Sequence, residues 1–139
     1  MSTLTIHTDG GSRGNPGPAA CAAVFLNPDR EVVYSTSRYL GHTTNNEAEY
    51  RGVILALETI LADLNKYSEF SSLQFVLDSE LVVFQLTGRY KIKNTNLQQL
   101  ATTTHQLIRQ INKPTSFTHV KRHLNTLPDE LLNQELDRH

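Results

Sequence analysis

The apolar pattern of this chain changes period once, near residue 44, and that change limits the fold more than anything else in it. Before it, side chains alternate. Leu4, Ile6 and Thr8 fall on one side of a stretch from Leu4 to Asp9, and Thr5, His7 and Asp9 on the other, the two-residue repeat of a strand. Ala19–Leu26 and Glu31–Tyr39 read as two more strands, joined by the turn Asn27-Pro28-Asp29-Arg30. Three sequential strands on short connections predict an antiparallel meander. Gly10 to Pro18 is rich in glycine and proline and is expected to be a loop, outside any strand interior.

After residue 44 the repeat is helical. Val53, Ala56, Leu57, Ile60, Leu61 and Leu64 form one stripe of a helix predicted from Asn46 to Asn65. A short strand, Leu73–Leu77, follows, then a short helix over Ser79–Leu86 and a long one over Leu97–Ile111 that Asn112-Lys113-Pro114 stops. Ser116–Val120 reads as a fifth strand and Asp129–Leu136 as a terminal helix. Strands first, then alternating helix and strand, describe an α/β or α+β domain on a five-stranded mixed sheet. At 139 residues the chain is expected to be one domain, residues 1–139, able to bury a core without disulfides.

Four carboxylates stand in places where such a scaffold presents side chains to a cleft. Asp9 ends the first strand pattern, Glu49 lies in the first turns of the long helix, Asp78 follows the apolar run Phe75-Val76-Leu77, and Asp129 opens the terminal helix. Two carboxylates about 4 Å apart repel by ~4 kcal/mol at an effective dielectric of about 20. A converging set would therefore bind cations or share protons. Magnesium prefers oxygen ligands and retains waters, which suits carboxylates facing a phosphate. Glu47 sits two residues from Glu49, about 200° around a helix, so the two cannot face one cleft.

Composition narrows the partners. A net charge of -1 argues against gripping nucleic acid mainly through a basic surface, although bound cations can neutralise an acidic cleft. The single cysteine, Cys21, cannot form an internal disulfide, and no Cys/His spacing suggests zinc. No apolar run reaches the ~20 residues that span a bilayer, and no charged segment followed by an apolar stretch opens the chain. A cytoplasmic protein without membrane partners is expected, and a monomer.

The segments TDGGSRGNPG (Thr8 to Gly17), TTNNEAEY (Thr43 to Tyr50), LDS (Leu77 to Ser79) and LPDELLN (Leu127 to Asn133) resemble type 1 ribonuclease H. Their order and spacing match that family over essentially the whole chain. The resemblance implies a five-stranded sheet in the order 3-2-1-4-5. It also implies a nuclease that cuts the RNA strand of RNA–DNA hybrids, leaving 5′-phosphate and 3′-hydroxyl ends. The family's catalytic and metal-holding acids fall on Asp9, Glu49, Asp78 and Asp129, around two Mg²⁺ ions or Mn²⁺ in their place. His123 stands in the loop where many relatives place a histidine that assists proton transfer or product release, here with only five residues between it and Asp129.

Substrate contacts carry over to Gly10, Gly11 and Gly14, which permit close backbone approach to the RNA strand, to Ser12 beside them, to Asn15, Asn45 and Asn46 in the minor groove, and to Thr44 and Asn94 at a DNA-strand phosphate. Turn and helix-capping work is the competing reading of each asparagine. The family's basic handle is absent, since Ser79–Leu86 runs almost directly into Gly88-Arg89-Tyr90-Lys91, which resembles the compact archaeal and bacterial branch. Glu80 replaces the glutamine that commonly reads the groove. Some compact relatives also cut double-stranded RNA, and a binding module that keeps the fold without turnover is a further alternative, one that would be expected to lack one or more acids.

Overall fold

The computed structural model describes residues 2–139. Three strands come first: β1 (Ser2–Ser12), β2 (Gly17–Leu26) and β3 (Val32–Thr43). Then follow α1 (Asn45–Ala62), β4 (Phe70–Leu77), α2 (Glu80–Leu86), α3 (Thr95–Ile111), β5 (Thr115–His119), a 3₁₀ turn over Arg122–Leu124, and α4 (Thr126–Asp137). The sheet order is β3-β2-β1-β4-β5. β1 pairs antiparallel with β2 and parallel with β4; β3 and β5 form the edges. The mixed five-stranded sheet and its expected order are therefore present.

Both faces of the sheet are covered, unequally. Leu4 and Ile6 of β1, Phe25 of β2 and Phe75 of β4 point toward α1, where they meet Tyr50, Val53, Leu57 and Ile60 in the main core. Each such side chain, removed fully from water, contributes ~1.5–3 kcal/mol. The opposite face carries a smaller cluster in which Leu132 and Leu136 of α4 sit on Ala20 and Ala22. The alanine-rich run of β2 explains the arrangement, because short side chains on both faces let a helix approach from either side.

Several boundaries differ from expectation, each for a tertiary reason. β1 continues through Gly10 and Gly11 to Ser12, and β2 begins at Gly17, so the loop expected over Gly10–Pro18 is cut to a tight turn. The two strands pair through this glycine-rich stretch, Gly10 against Cys21 and Gly11 against Ala20. Gly10 is there for close approach rather than for turning: a Cβ on it would stand 2.1 Å from the carbonyl carbon and oxygen of Ala48 in α1. α1 stops at Ala62, short of the expected Asn65, which leaves Leu64 outside the apolar stripe and exposed. β4 and α4 each begin three residues before expectation, so Asp129 lies within the first turn of α4 rather than at its first position. Among the described residues no helix is long and apolar enough to cross a membrane.

Candidate active site

β1 and β4 run parallel side by side, and their carboxyl ends open on the same crevice, the usual ligand position of such sheets. His7 of β1 pairs with Val76 of β4, so Asp9 and Asp78 lie two positions further along neighbouring strands. Glu49 arrives from α1, whose N-terminus crosses β1 where Gly10 permits contact. Asp9, Glu49 and Asp78 each bring a carboxylate oxygen into one group whose members all lie within 4.8 Å of one another. Asp129 lines the same cleft from the first turn of α4, with Arg122 and Asn46 also in its walls.

Backbone and side-chain contacts hold these acids in place. The Gly10 N–H donates to Asp9 Oδ1 at 2.9 Å and to Glu49 Oε1 at 3.3 Å. Glu49 Oε2 is buried and has no hydrogen-bond partner among the described residues. Asp129 Oδ1 accepts from Asn133 Nδ2 at 3.4 Å, and the same amide donates to the Asp129 carbonyl at 2.9 Å. Arg122 Nε stands 3.9 Å from Asp78 Oδ2 on a side chain that is 89% exposed. This is a small positive counterweight to a cluster of negative charge.

Electrostatics follow from that imbalance. Burial raises the Asp9 carboxyl to about 7, aided by the charges of Asp78 and Asp129 and opposed by its contact with Glu49. Burial and the Asp9 charge push Glu49 well above the ordinary carboxylate range. Asp78 is raised by burial, with Arg122 pulling the other way. Crowded, desolvated, oxygen-only donors with one oxygen lacking any partner fit a hard divalent cation such as Mg²⁺.

The other residues singled out in the sequence take distinct places. Asn45 Oδ1 accepts from the Ser12 backbone at 2.8 Å and the Ser12 hydroxyl at 3.0 Å, while its own N–H donates to Asn15 Oδ1 at 3.0 Å. Together Ser12, Asn15 and Asn45 stitch the turn after β1 to the start of α1. Thr44 caps α1, accepting from Glu47 N–H, and Asn94 caps α3, accepting from Leu97 N–H at 3.0 Å. Gly10, Gly11, Ser12 and Asn46 line the cleft directly. His123 lies exposed on the 3₁₀ turn, and the cleft-lining residues do not include it. Glu47 faces away, receiving a hydrogen bond from the Thr43 hydroxyl and one from Asn96 Nδ2 at 3.1 Å. Glu80 Oε1 is taken by the Tyr90 hydroxyl at 2.8 Å.

Two wall residues, Arg122 and Asn133, escaped sequence reasoning. Arg122 reads as a solvated loop charge until β5 is placed beside β4, with Val120 N–H on the Leu77 carbonyl. That pairing sets the loop after β5 next to Asp78. Asn133 is legible only as the residue one helical turn beyond Asp129.

The chain is similar to known proteins over nearly its whole length. Residues 7–134 match a family profile described as reverse transcriptase-like. A bifunctional protein of Mycobacterium tuberculosis is 38% identical over 135 residues, which covers 96% of this chain and 35% of that protein. A ribonuclease HI of Halobacterium salinarum is 38% identical over 129 residues, 93% of this chain and 62% of that protein. The chain thus spans less than two thirds of the length of these curated relatives. The crystal structure of RNase H1 from Halobacterium salinarum superposes with a TM-score of 0.89 at 36% identity, covering 99% of each chain. LC11-RNase H1 in complex with an RNA/DNA hybrid gives a TM-score of 0.89 at 35% identity, covering 97% of each.

Proposed function

The chain belongs to the type 1 ribonuclease H family, and from that premise we propose that it is a metal-dependent endoribonuclease hydrolysing the RNA strand of RNA–DNA hybrids. The observation that carries this reading is the meeting of Asp9, Glu49 and Asp78 at the carboxyl ends of parallel strands, with Asp129 across the same cleft. A solved relative, LC11-RNase H1, is described in complex with an RNA/DNA hybrid, which supports the choice of duplex.

Asp9, Glu49, Asp78 and Asp129 would hold two Mg²⁺ ions, or Mn²⁺ in their place. Bound there, the ions would supply an activated water and stabilise the leaving 3′-oxygen, giving 5′-phosphate and 3′-hydroxyl products. The chain's own residues do the rest. Burial of Asp9 and Glu49 removes competing water from the reacting face. Gly10 and Gly11 let the RNA backbone come close, with Ser12, Asn15, Asn45 and Asn46 positioned to meet 2′-hydroxyls and base edges. The exposed Arg122 guanidinium beside Asp78 is placed to meet a phosphate. Thr44 and Asn94, at the heads of α1 and α3, are assigned the DNA-strand phosphate, and His123 an auxiliary role in proton transfer or product release. The enzyme is expected to act as a monomer.

Strand-labelled hybrid, double-stranded RNA and double-stranded DNA, each with Mg²⁺, Mn²⁺ or chelator and with an Asp9→Asn control, test the proposal. RNA-strand cutting of the hybrid that needs the metal and is lost in the variant is expected. Cutting of double-stranded RNA as well would widen the substrate class. Hybrid bound but uncut under every condition would make the protein a binding module and overturn the proposal.

A further inference from the structure

Asn125 occupies the N-cap position of α4 but does not cap it: no side-chain capping bond is formed there. Asparagine is among the best capping residues, and leaving a cap unmade costs ~1 kcal/mol. The side chain is engaged elsewhere. Asn125 is completely buried, its Nδ2 donates to the Thr8 carbonyl at 2.8 Å, and its Oδ1 lies 2.9 Å from His7 Nδ1.

The hydrogen-bond inventory fixes the direction of each contact. The Thr8 carbonyl can only accept, so the Asn125 amide nitrogen faces it and Oδ1 faces the imidazole. His7 Nδ1 must then carry the proton and donate. A chain of two bonds results, from His7 through Asn125 to the backbone of Thr8. Buried polar links of this kind have one satisfied geometry and are costly to misalign.

Both ends of this link adjoin the cleft. Thr8 precedes Asp9 on β1, and Asn125 lies one helical turn before Asp129 on α4. Among the described residues the other polar ties of α4 to the sheet side grip its C-terminal half, Arg13 to Asp137 and to the Asn133 carbonyl, and Ser37 to Glu135. The apolar contact of Leu132 and Leu136 with Ala20 and Ala22 is non-directional. We propose that Asn125, oriented by His7, is a positioning residue that sets the first turn of α4 against β1 and thereby holds Asp129 in register with Asp9.

The inference rests on reading the cleft as a hydrolytic cation site, and the test separates the two. Asn125→Ala is compared with wild type for kcat and KM on labelled hybrid, for Mn²⁺ binding by calorimetry, and for melting temperature. The same substitution is also made in an Asp129→Asn background. The expected result is a kcat lower by about 10- to 100-fold with KM within about twofold. Mn²⁺ binding should weaken as much as in Asp129→Asn, and the added loss in that background should be no more than about twofold. His7→Phe, which keeps the ring and removes the donor, should give an intermediate loss even where Asn125→Ala fails to fold. His7→Asn, whose amide can stand in for Nδ1–H, should restore activity and metal binding.

A wild type that binds Mn²⁺ but cuts no hybrid removes the cleavage reading, and the calorimetry then decides the positioning claim. Unchanged metal binding in both Asn125→Ala and His7→Phe overturns it. So does a loss from Asn125→Ala that multiplies fully with Asp129→Asn.

Discussion

Asp9 and Glu49 share a single backbone donor: the Gly10 N–H reaches Asp9 Oδ1 at 2.9 Å and Glu49 Oε1 at 3.3 Å. Two buried carboxylates that depend on one N–H are under-satisfied as a pair of anions. Their charge is therefore stable only with a retained proton or a cation, and this makes the cleft's stability a reporter of its chemistry.

Folding stability should depend on pH through these two carboxyls. Asp9, raised to about 7, and Glu49, raised well above the usual carboxylate range, hold protons in the folded state that the unfolded chain has already released. The native state then binds more protons than the unfolded one between about pH 4 and the folded values, so stability falls as pH rises across that range and levels off above it. His7, whose burial lowers its pKa, opposes this only below its unfolded value of about 6.5. Melting temperatures in chelator should therefore be lower at about pH 7 than at about pH 5, and Mg²⁺ should raise the melting temperature more at about pH 7 than at about pH 5. A melting temperature independent of pH in chelator would contradict raised carboxyls at Asp9 and Glu49.

Glu47 and Glu49 should behave oppositely despite lying on the same helical turn. Glu47→Ala removes bonds to Thr43 and Asn96 and should cost ~1 kcal/mol while cleavage stays within about threefold. Glu49→Ala should abolish cleavage and weaken metal binding without lowering the stability of the metal-free protein, because it relieves charge crowding. Paired melting and turnover assays distinguish them.

Adjacent glycines offer a sharper contrast. A methyl at Gly10 would sit 2.1 Å from the Ala48 backbone and 2.5 Å from Glu49 N, where neither neighbour can move without shifting α1. Gly10→Ala should destabilise by at least ~3 kcal/mol or prevent folding. At Gly11 the nearest atom is the Leu132 side chain at 3.6 Å, an ordinary contact, and Gly11→Ala should stay within ~1 kcal/mol. Chemical denaturation of the two variants measures the difference.

Tyr50→Phe provides a control for stability without chemistry. The Tyr50 hydroxyl donates to Gln85 Oε1 at 2.7 Å in the buried core between α1 and α2. Its loss strands a buried amide oxygen and should cost ~1–3 kcal/mol. Urea unfolding should show a lower midpoint with an unchanged slope, and the cleavage rate per folded molecule should be unaltered.

Much of this architecture is legible in the primary structure because its signals are local. Alternation marks β1, apolar runs bounded by turn residues mark β2 and β3, and the stripe Val53, Ala56, Leu57, Ile60 marks α1. The four acids stand out because each has a recognisable neighbourhood, and the angle between Glu47 and Glu49 follows from helix geometry alone. Boundaries are less legible. Gly10 and Gly11 look like turn residues, but they are paired in a strand whose absent side chains admit α1. Leu64 fits the apolar repeat but falls beyond the helix end.

The order of elements, the identity of the acids and the face each occupies are therefore properties of the chain's local chemistry. Their meeting is not. Asp9 and Asp78 are neighbours because β1 and β4 pair in parallel with His7 opposite Val76, a long-range register that no short segment encodes. The raised carboxyls of Asp9 and Glu49 depend on burial beneath α1, and the Asn125 link depends on α4 folding back over β1. Periodicity and motifs act within a few residues, whereas desolvation and charge coupling act between whatever the packed chain brings within a few ångströms.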